Sequence, residues 1–214
     1  MKISHPVISK NLSLVSDFSQ LIATEDGIEN ERIENESFDQ LSLKNFTIID
    51  SQIIKTDFSG TEIDGFGLKN TRFSDCNMTT AKFPDASWHV VELLNSRCSG
   101  IQLNVGILKD VLFKGCKLDL SNFRFAKLTN VIFDGCVINE MDFYNAELKN
   151  VQFINCEIDR VEFSNSKLHN VDFTESQIIT IKGISSLKGA IISNEQLIYL
   201  APYLASQFGI KISE

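Results

Sequence analysis

From Ile28 to Ile178 every fifth residue is apolar, thirty-one consecutive positions without a slip, running Ile28, Ile33, Phe38, Leu43, Ile48 through to Phe163, Leu168, Phe173 and Ile178. Five is the period of neither a strand nor a helix, so the pattern is an internal repeat of the whole chain. At 43% hydrophobic residues such a run would arise by chance about once in 10^11. Twelve of the sixteen phenylalanines stand in this register when Phe18 is counted. A repeat architecture follows, and function has to be sought on its outside.

The residue two before each register position is restricted as well. From Thr71 to Ser176 these twenty-two positions hold no charge and are mostly small. Two inward residues per five, one large and one small, describe a short strand segment that alternates its side chains and then turns a corner. The corner falls two residues after the register position, where Asn, Asp or Gly recurs twenty times from Asn30 to Asn170. These residues accept positive φ and hydrogen-bond locally. Val111, Val131, Val151 and Val171 recur at twenty, as do Phe113, Phe133, Phe153 and Phe173, so four corners close one coil and successive coils stack as parallel strands. The expected fold class is all-β, a parallel β-helix with four walls, seven to eight coils and a length of roughly 36 Å. Its interior is filled by its own side chains, which argues against an enzyme and leaves no catalytic, cofactor or metal residue to name.

Composition narrows the partners. The formal charge is −8, with eight acids against Lys2, Lys10 and Arg32 in residues 1–40. That balance opposes a direct nucleic-acid contact through a basic surface. No apolar run is long enough to span a membrane and the opening MKISHPVISKNLSLV lacks a signal-peptide core, so a cytoplasmic location is expected. Cys76, Cys116, Cys136 and Cys156 are spaced by multiples of twenty and Cys98 is in the apolar register; without any CxxC they read as small buried hydrophobes. His5, His89 and His169 read as surface residues, and Trp88 as core. Phe46 and Phe66 take small inward positions twenty apart and are expected to stack.

The two ends depart from the repeat. Asp26, Glu31 and Glu36 occupy inward positions that a closed interior would reject, so residues 1–35 read as an N-terminal cap and 36–183 as the repeat domain. Residues 184–214 read as a helical cap and dimerisation segment. Ser193-Asn194-Glu195-Gln196 has capping-box spacing, Gly209 suits a helix stop, and Pro202 is expected to split the segment into two short helices. Leu197, Leu200, Tyr203, Leu204, Phe208, Ile210 and Ile212 offer more apolar surface than a lid needs, which points to a homodimer.

Mapping outward positions by the twenty-residue turn puts Glu62, Asp64, Asp142 and Glu162 on one wall, Asp119, Glu157 and Asp159 on the next, and Glu140 at the corner between them. A further wall collects Lys69, Lys109, Lys127, Lys149 and Lys167. The acidic edge is either an ordinary solvated surface or the side that meets a basic groove on a partner. Phe125 and Tyr144 are exposed aromatics able to anchor one.

Units such as Ala81-Lys82-Phe83, Ser121-Asn122-Phe123, Ala126-Lys127-Leu128, Ala146-Glu147-Leu148 and Ser166-Lys167-Leu168 resemble the motif of pentapeptide-repeat proteins, which implies a right-handed quadrilateral β-helix. The segment LSNFRFAKL around Phe123 and the ending LKGAIISNEQLIYLAPYLASQFGIKI are similar to the Qnr quinolone-resistance proteins, particularly their chromosomal relatives in Gram-positive bacteria. That resemblance implies binding to DNA gyrase or topoisomerase IV and protection from fluoroquinolones; a related branch is thought to imitate duplex DNA. Well-known Qnr proteins project two loops that interrupt the coils, whereas this register is unbroken, so contact would run through the surface of the rod. The competing reading is an interaction scaffold with no topoisomerase partner.

Overall fold

A computed structural model of the protein describes residues 2–15, 20–22 and 26–212; Phe18 lies outside them. The five-residue period folds as a parallel β-solenoid with one short C-terminal helix, the architecture the repeat predicts, but of about 9 turns rather than seven to eight, because Ser13–Leu14 and Ala190–Ile191 add pairing at the two ends. Thirty of the thirty-one register residues are buried, Leu43 alone being half-buried.

The four walls are numbered here by their central residues: wall one by Ile48, Leu68 and Trp88, wall two by Ile53, Phe73 and Leu93, wall three by Phe58, Met78 and Cys98, wall four by Ile63, Phe83 and Leu103. Residues twenty apart lie one above another. Val111, Leu112 and Phe113 pair with Val131, Ile132 and Phe133, and Val131 and Phe133 with Val151 and Phe153. On wall two the rings of Phe113, Phe133, Phe153 and Phe173 form one stack at 5.0, 4.9 and 4.8 Å, each step tilted by 7°. Phe143 and Phe163 stack at 5.3 Å on wall four.

The walls are not equivalent, although the five-residue pattern reads the same on all of them. Walls one and two join into single strands that run through their shared corner, such as Gly67–Ser74, Ser87–Leu94, Ile107–Lys114 and Lys127–Asp134. Walls three and four are linked largely by isolated parallel bridges, among them Asn77 to Arg97 and Gln102 to Asn122.

Every fifth residue from Asn30 to Asn170 has positive φ. Twenty of these corners hold the Asn, Asp or Gly expected there. Nine do not, and Val90, Val105, Leu120 and Phe125 put branched or aromatic side chains into left-handed backbone that such residues rarely adopt. At the corner between walls one and two the amides form a ladder: Asn130 donates to Asp110 at 3.1 Å, Asn150 to Asn130 at 3.1 Å and Asn170 to Asn150 at 2.9 Å.

The small inward residue does more than fill space. Its hydroxyl or thiol donates to the carbonyl of the register residue one coil below, as from Thr61 to Phe38 at 2.6 Å, Ser121 to Cys98 at 3.1 Å, Cys136 to Phe113 at 3.4 Å and Ser176 to Phe153 at 2.8 Å. The five cysteines are free and buried, and burial pushes the Cys76 thiol up to about 11. Phe46 and Phe66 are buried too, but their expected mutual stack is replaced by other partners. Phe46 meets Phe38 edge-on at 6.0 Å, and Phe66 turns to Phe83 at 4.8 Å and to Trp88 at 6.5 Å. Above Phe66 the inward column shrinks to Ala86 and Gly106, which opens space for the indole, and ring contact across the core outweighs contact along the column.

The solenoid ends in a continuous helix, Asn194–Gln207, with Pro202 inside it. The expected split at Pro202 does not occur. The carbonyl that loses its donor belongs to Ile198, whose residue is 74% exposed, so water can replace the missing hydrogen bond. Ser193 and Gln196 form the expected capping box. Gly209, at φ 69°, ends the helix, its N–H reaching the Ser206 carbonyl while that of Ile210 reaches Ala205, the two bonds of a Schellman stop.

Candidate functional site

The interior is occupied by side chains among the described residues, Phe113, Phe123, Phe133 and Phe143 each being fully buried. The clefts are external. The most prominent, about 580 Å³, lies between the last coil and the helix and is lined by Thr174–Ile179, Ser193, Glu195, Gln196 and Tyr199. Among the described residues no group of His, Cys, Asp or Glu is placed to hold a metal ion, and no helix is long and apolar enough to cross a membrane. What remains is surface chemistry in three regions.

The first is the acidic edge of walls three and four. One column of wall four reads Glu62, Lys82, Gln102, Asn122, Asp142 and Glu162 in coil order, so Glu62 and Asp64 stand four coils, roughly 19 Å, from Asp142. Cations sit directly against half of the set. Lys82 lies 3.4 Å from Glu62, Arg124 3.0 Å from Asp142, and Arg160 2.9 Å from Glu140 and 3.7 Å from Asp159. The Asp142 carboxylate also accepts the Tyr144 N–H at 2.8 Å, and that of Glu162 the Ser164 N–H at 2.6 Å. Asp64, Asp119, Glu157 and Glu162 have no cation within 4.0 Å among the described residues. The structure therefore gathers Glu140, Asp142, Glu157, Asp159 and Glu162 at the C-terminal end of the rod and leaves Glu62 and Asp64 apart.

The second region is the C-terminal helix, where the apolar set divides in two. Leu200 is 3% exposed and joins the core, and Leu204 packs partly against it. Leu197, Tyr203, Phe208, Ile210 and Ile212 remain exposed, joined by Ile198 and Tyr199. The lid is held by a contact that spacing alone would not suggest. Gln196 stands twenty residues past Ser176 in the inward column, and its side-chain N–H donates to the Phe173 carbonyl at 2.6 Å and to the Ser176 carbonyl at 2.7 Å. It thereby does for a missing coil what Ser176 does for the last one, while its oxygen accepts the Ser193 N–H at 2.8 Å.

In the third region, within the residues read from sequence only as an N-terminal cap, the contacts to the wall were not foreseen. The N-terminal segment runs down the outside of wall two, with Ile3 and Pro6 buried. Val7 exchanges two backbone hydrogen bonds with the Asn70 side chain, at 2.7 and 3.0 Å. Glu92 lies beneath this strap, 6% exposed, receiving Arg72 at 2.6 Å and His5 at 2.8 Å. His5 and Glu92 are 87 residues apart and His5 lies outside the repeat, so no periodicity could have paired them.

Several solved structures are similar to this chain. A trypsin-treated variant of QnrB1, a plasmid-mediated fluoroquinolone resistance protein, is 17% identical, covers 87% of this chain and 99% of its own, and gives a TM-score of 0.44. HetL, a pentapeptide repeat protein involved in heterocyst differentiation regulation from the cyanobacterium Nostoc sp., is 16% identical over 86% of this chain and 98% of its own, with a TM-score of 0.40. The pectin methylesterase of Aspergillus niger is 10% identical over 91% and 84%, with a TM-score of 0.35. Among curated proteins none matches the chain by sequence. Residues 48–125 and 106–182 match the family described as the pentapeptide repeat region, and with that repeat folded into four laddered walls the chain belongs to the pentapeptide repeat family.

Proposed function

We propose that this chain is a non-catalytic binding protein that engages a type II topoisomerase, DNA gyrase or topoisomerase IV, and lowers its sensitivity to fluoroquinolones, acting as a homodimer in the cytoplasm. The observation that carries the reading is the filled column: a rod with no interior site acts through its outside, and its segments around Phe123 and after Leu187 are those similar to Qnr proteins. Support for the dimer comes from the division of the terminal helix. Leu200 and Gln196 hold the lid, and the apolar side chains from Leu197 to Ile212 that face solvent are in excess of that task. Two rods of about 9 turns joined tail to tail would reach roughly 86 Å, the length of about 25 base pairs.

A second reading, an interaction scaffold with no topoisomerase partner, is favoured by the internal neutralisation of the acidic edge through Lys82, Arg124 and Arg160. Gyrase supercoiling measured with and without ciprofloxacin separates the two. Rescue of supercoiling in the presence of drug supports protection, and inhibition without rescue supports imitation of duplex DNA alone. No effect on either enzyme leaves the scaffold. Light scattering of the full chain tests the dimer, and a monomer at all concentrations would remove it.

A further inference from the structure

On wall one most of the charge has no direct partner in its own chain, whereas half of the acidic edge is paired with a cation. Lys109, Lys127, Lys149 and Lys167 rise one per coil, alternating between the two outward columns of this wall, a step of about 4.8 Å along the axis. Lys167 holds Glu147 at 2.9 Å. Lys109, Lys127 and Lys149, with Lys69 below them, have no carboxylate within 4.0 Å among the described residues. Nearby acids are few: Glu147, bonded to Lys167 above Lys127; Asp110, 7% exposed and 4.0 Å from His89; and Asp85 at the corner below Val105.

The corner where wall four meets wall one is occupied in other coils by Asn45, Gly65, Asp85, Asn145 and Asn165, residues that suit its left-handed backbone. Val105 and Phe125, stacked one coil apart, do not suit it; their φ values are 63° and 60°. Such placement strains the backbone. Packing offsets only part of this strain, because the two residues are 48% and 49% exposed. Ile107 is 54% exposed beside them. The Tyr144 ring meets Phe125 edge-on at 6.0 Å, and the Arg124 guanidinium lies 4.4 Å over Tyr144. Strained exposed apolar side chains, an aromatic and arginine cluster, and adjoining unpaired cations have the anatomy of a protein-docking patch with a charged rim.

We propose that this corner and wall one dock an extended acidic segment of a partner protein, its carboxylates set against Lys109, Lys127 and Lys149 and its apolar side chains against Val105, Ile107 and Phe125. The chain as a whole carries −8. That net charge repels a long, dense polyanion such as nucleic acid, whereas a short acidic segment needs only this face. The surface is distinct from the acidic edge and does not depend on a topoisomerase partner.

The test uses the full chain and a fluorescein-labelled peptide in which Asp and Glu alternate with Phe and Leu, followed by anisotropy. Binding should weaken as salt rises. The triple variant Lys109→Glu, Lys127→Glu, Lys149→Glu should bind about tenfold more weakly or worse. Phe125→Asn is the sharper probe, because it relieves the backbone: affinity should fall about fivefold while the melting temperature rises. A melting temperature that falls would make Phe125 a structural residue and overturn the proposal. So would unchanged affinity in either variant, absence of peptide binding, or equal binding of an oligo-dT strand.

Discussion

The acidic edge and the lysine wall differ less in how many charges they hold than in where those charges find partners. In a solenoid the nearest neighbour of an outward side chain is the residue twenty places away, about 4.8 Å up or down the axis. Along the acidic edge that neighbour, or one close to it, is often a cation, as Lys82 is to Glu62 and Arg160 is to Glu140. On wall one Lys109 has His89 below and Thr129 above, and Lys149 has Thr129 and His169. The same repeat therefore builds one surface half compensated within the chain and another on which Lys167 alone of the five lysines is paired among the described residues. Charge summed over a sequence says nothing of this; only its distribution over columns does.

The most forceful way to break the comparison is to remove the column on which both surfaces are mounted. Phe133→Ala would leave a hole between Phe113 and Phe153 and should cost about 3–5 kcal/mol. Chemical denaturation should show one cooperative loss taking both surfaces together; independent melting would show that the walls are separable. Gln196→Ala should cost about 1–3 kcal/mol, because the Phe173 and Ser176 carbonyls lose their donor. Here the effect should be local, with faster hydrogen exchange in Asn194–Gln207, while the acidic edge and lysine wall stay unchanged.

Alkali probes the core without touching either surface's geometry. The Cys76 thiol is raised from 9.0 to about 11 mainly by burial, so the native state binds its proton more tightly than the unfolded chain. Its stabilising contribution is complete below pH 9.0 and is lost as pH rises through about 11. The difference in stability between wild type and Cys76→Ser should shrink over that window, and a constant difference would show that the thiol is not the group responsible.

Two surface changes complete the series. Arg160→Ala should alter stability by less than about 1 kcal/mol, yet it frees Glu140 and Asp159. Gyrase affinity should increase if the acidic edge is the binding side, and an unchanged value would favour the scaffold. Lys149→Ala, with no carboxylate beside it, should shift stability by no more than about 0.5 kcal/mol. A larger loss would reveal an intramolecular partner for wall one and erase the contrast between the two surfaces.

The legibility of the sequence follows the same division. Register residues such as Phe113 and Phe133, and corners such as Asn130 and Asn150, were readable because each repeats in step with its neighbours above and below. Phe66 departs from the expected stack because it meets Phe83 on wall four and Trp88 in the coil above, while its own column narrows to Ala86 and Gly106, contacts that a period of twenty does not encode. Pro202 was misread because local propensity weighs against it while the exposure around Ile198 tolerates it. Of the apolar helix residues, Leu197 and Leu200 looked alike in sequence. Only docking on the last coil buried one and exposed the other.

The sequence by itself determined the coil: its five-residue period, the twenty-residue stack and the filled interior, because one local rule is written thirty-one times and admits a single repeating geometry. Tertiary structure alone decided that His5 reaches Glu92, that Gln196 closes the final ladder, and that Val105 and Phe125 bear strain in the open. These depend on contacts between walls or beyond the ends of the repeat, and a period carries no information about what lies across the core or outside its own run.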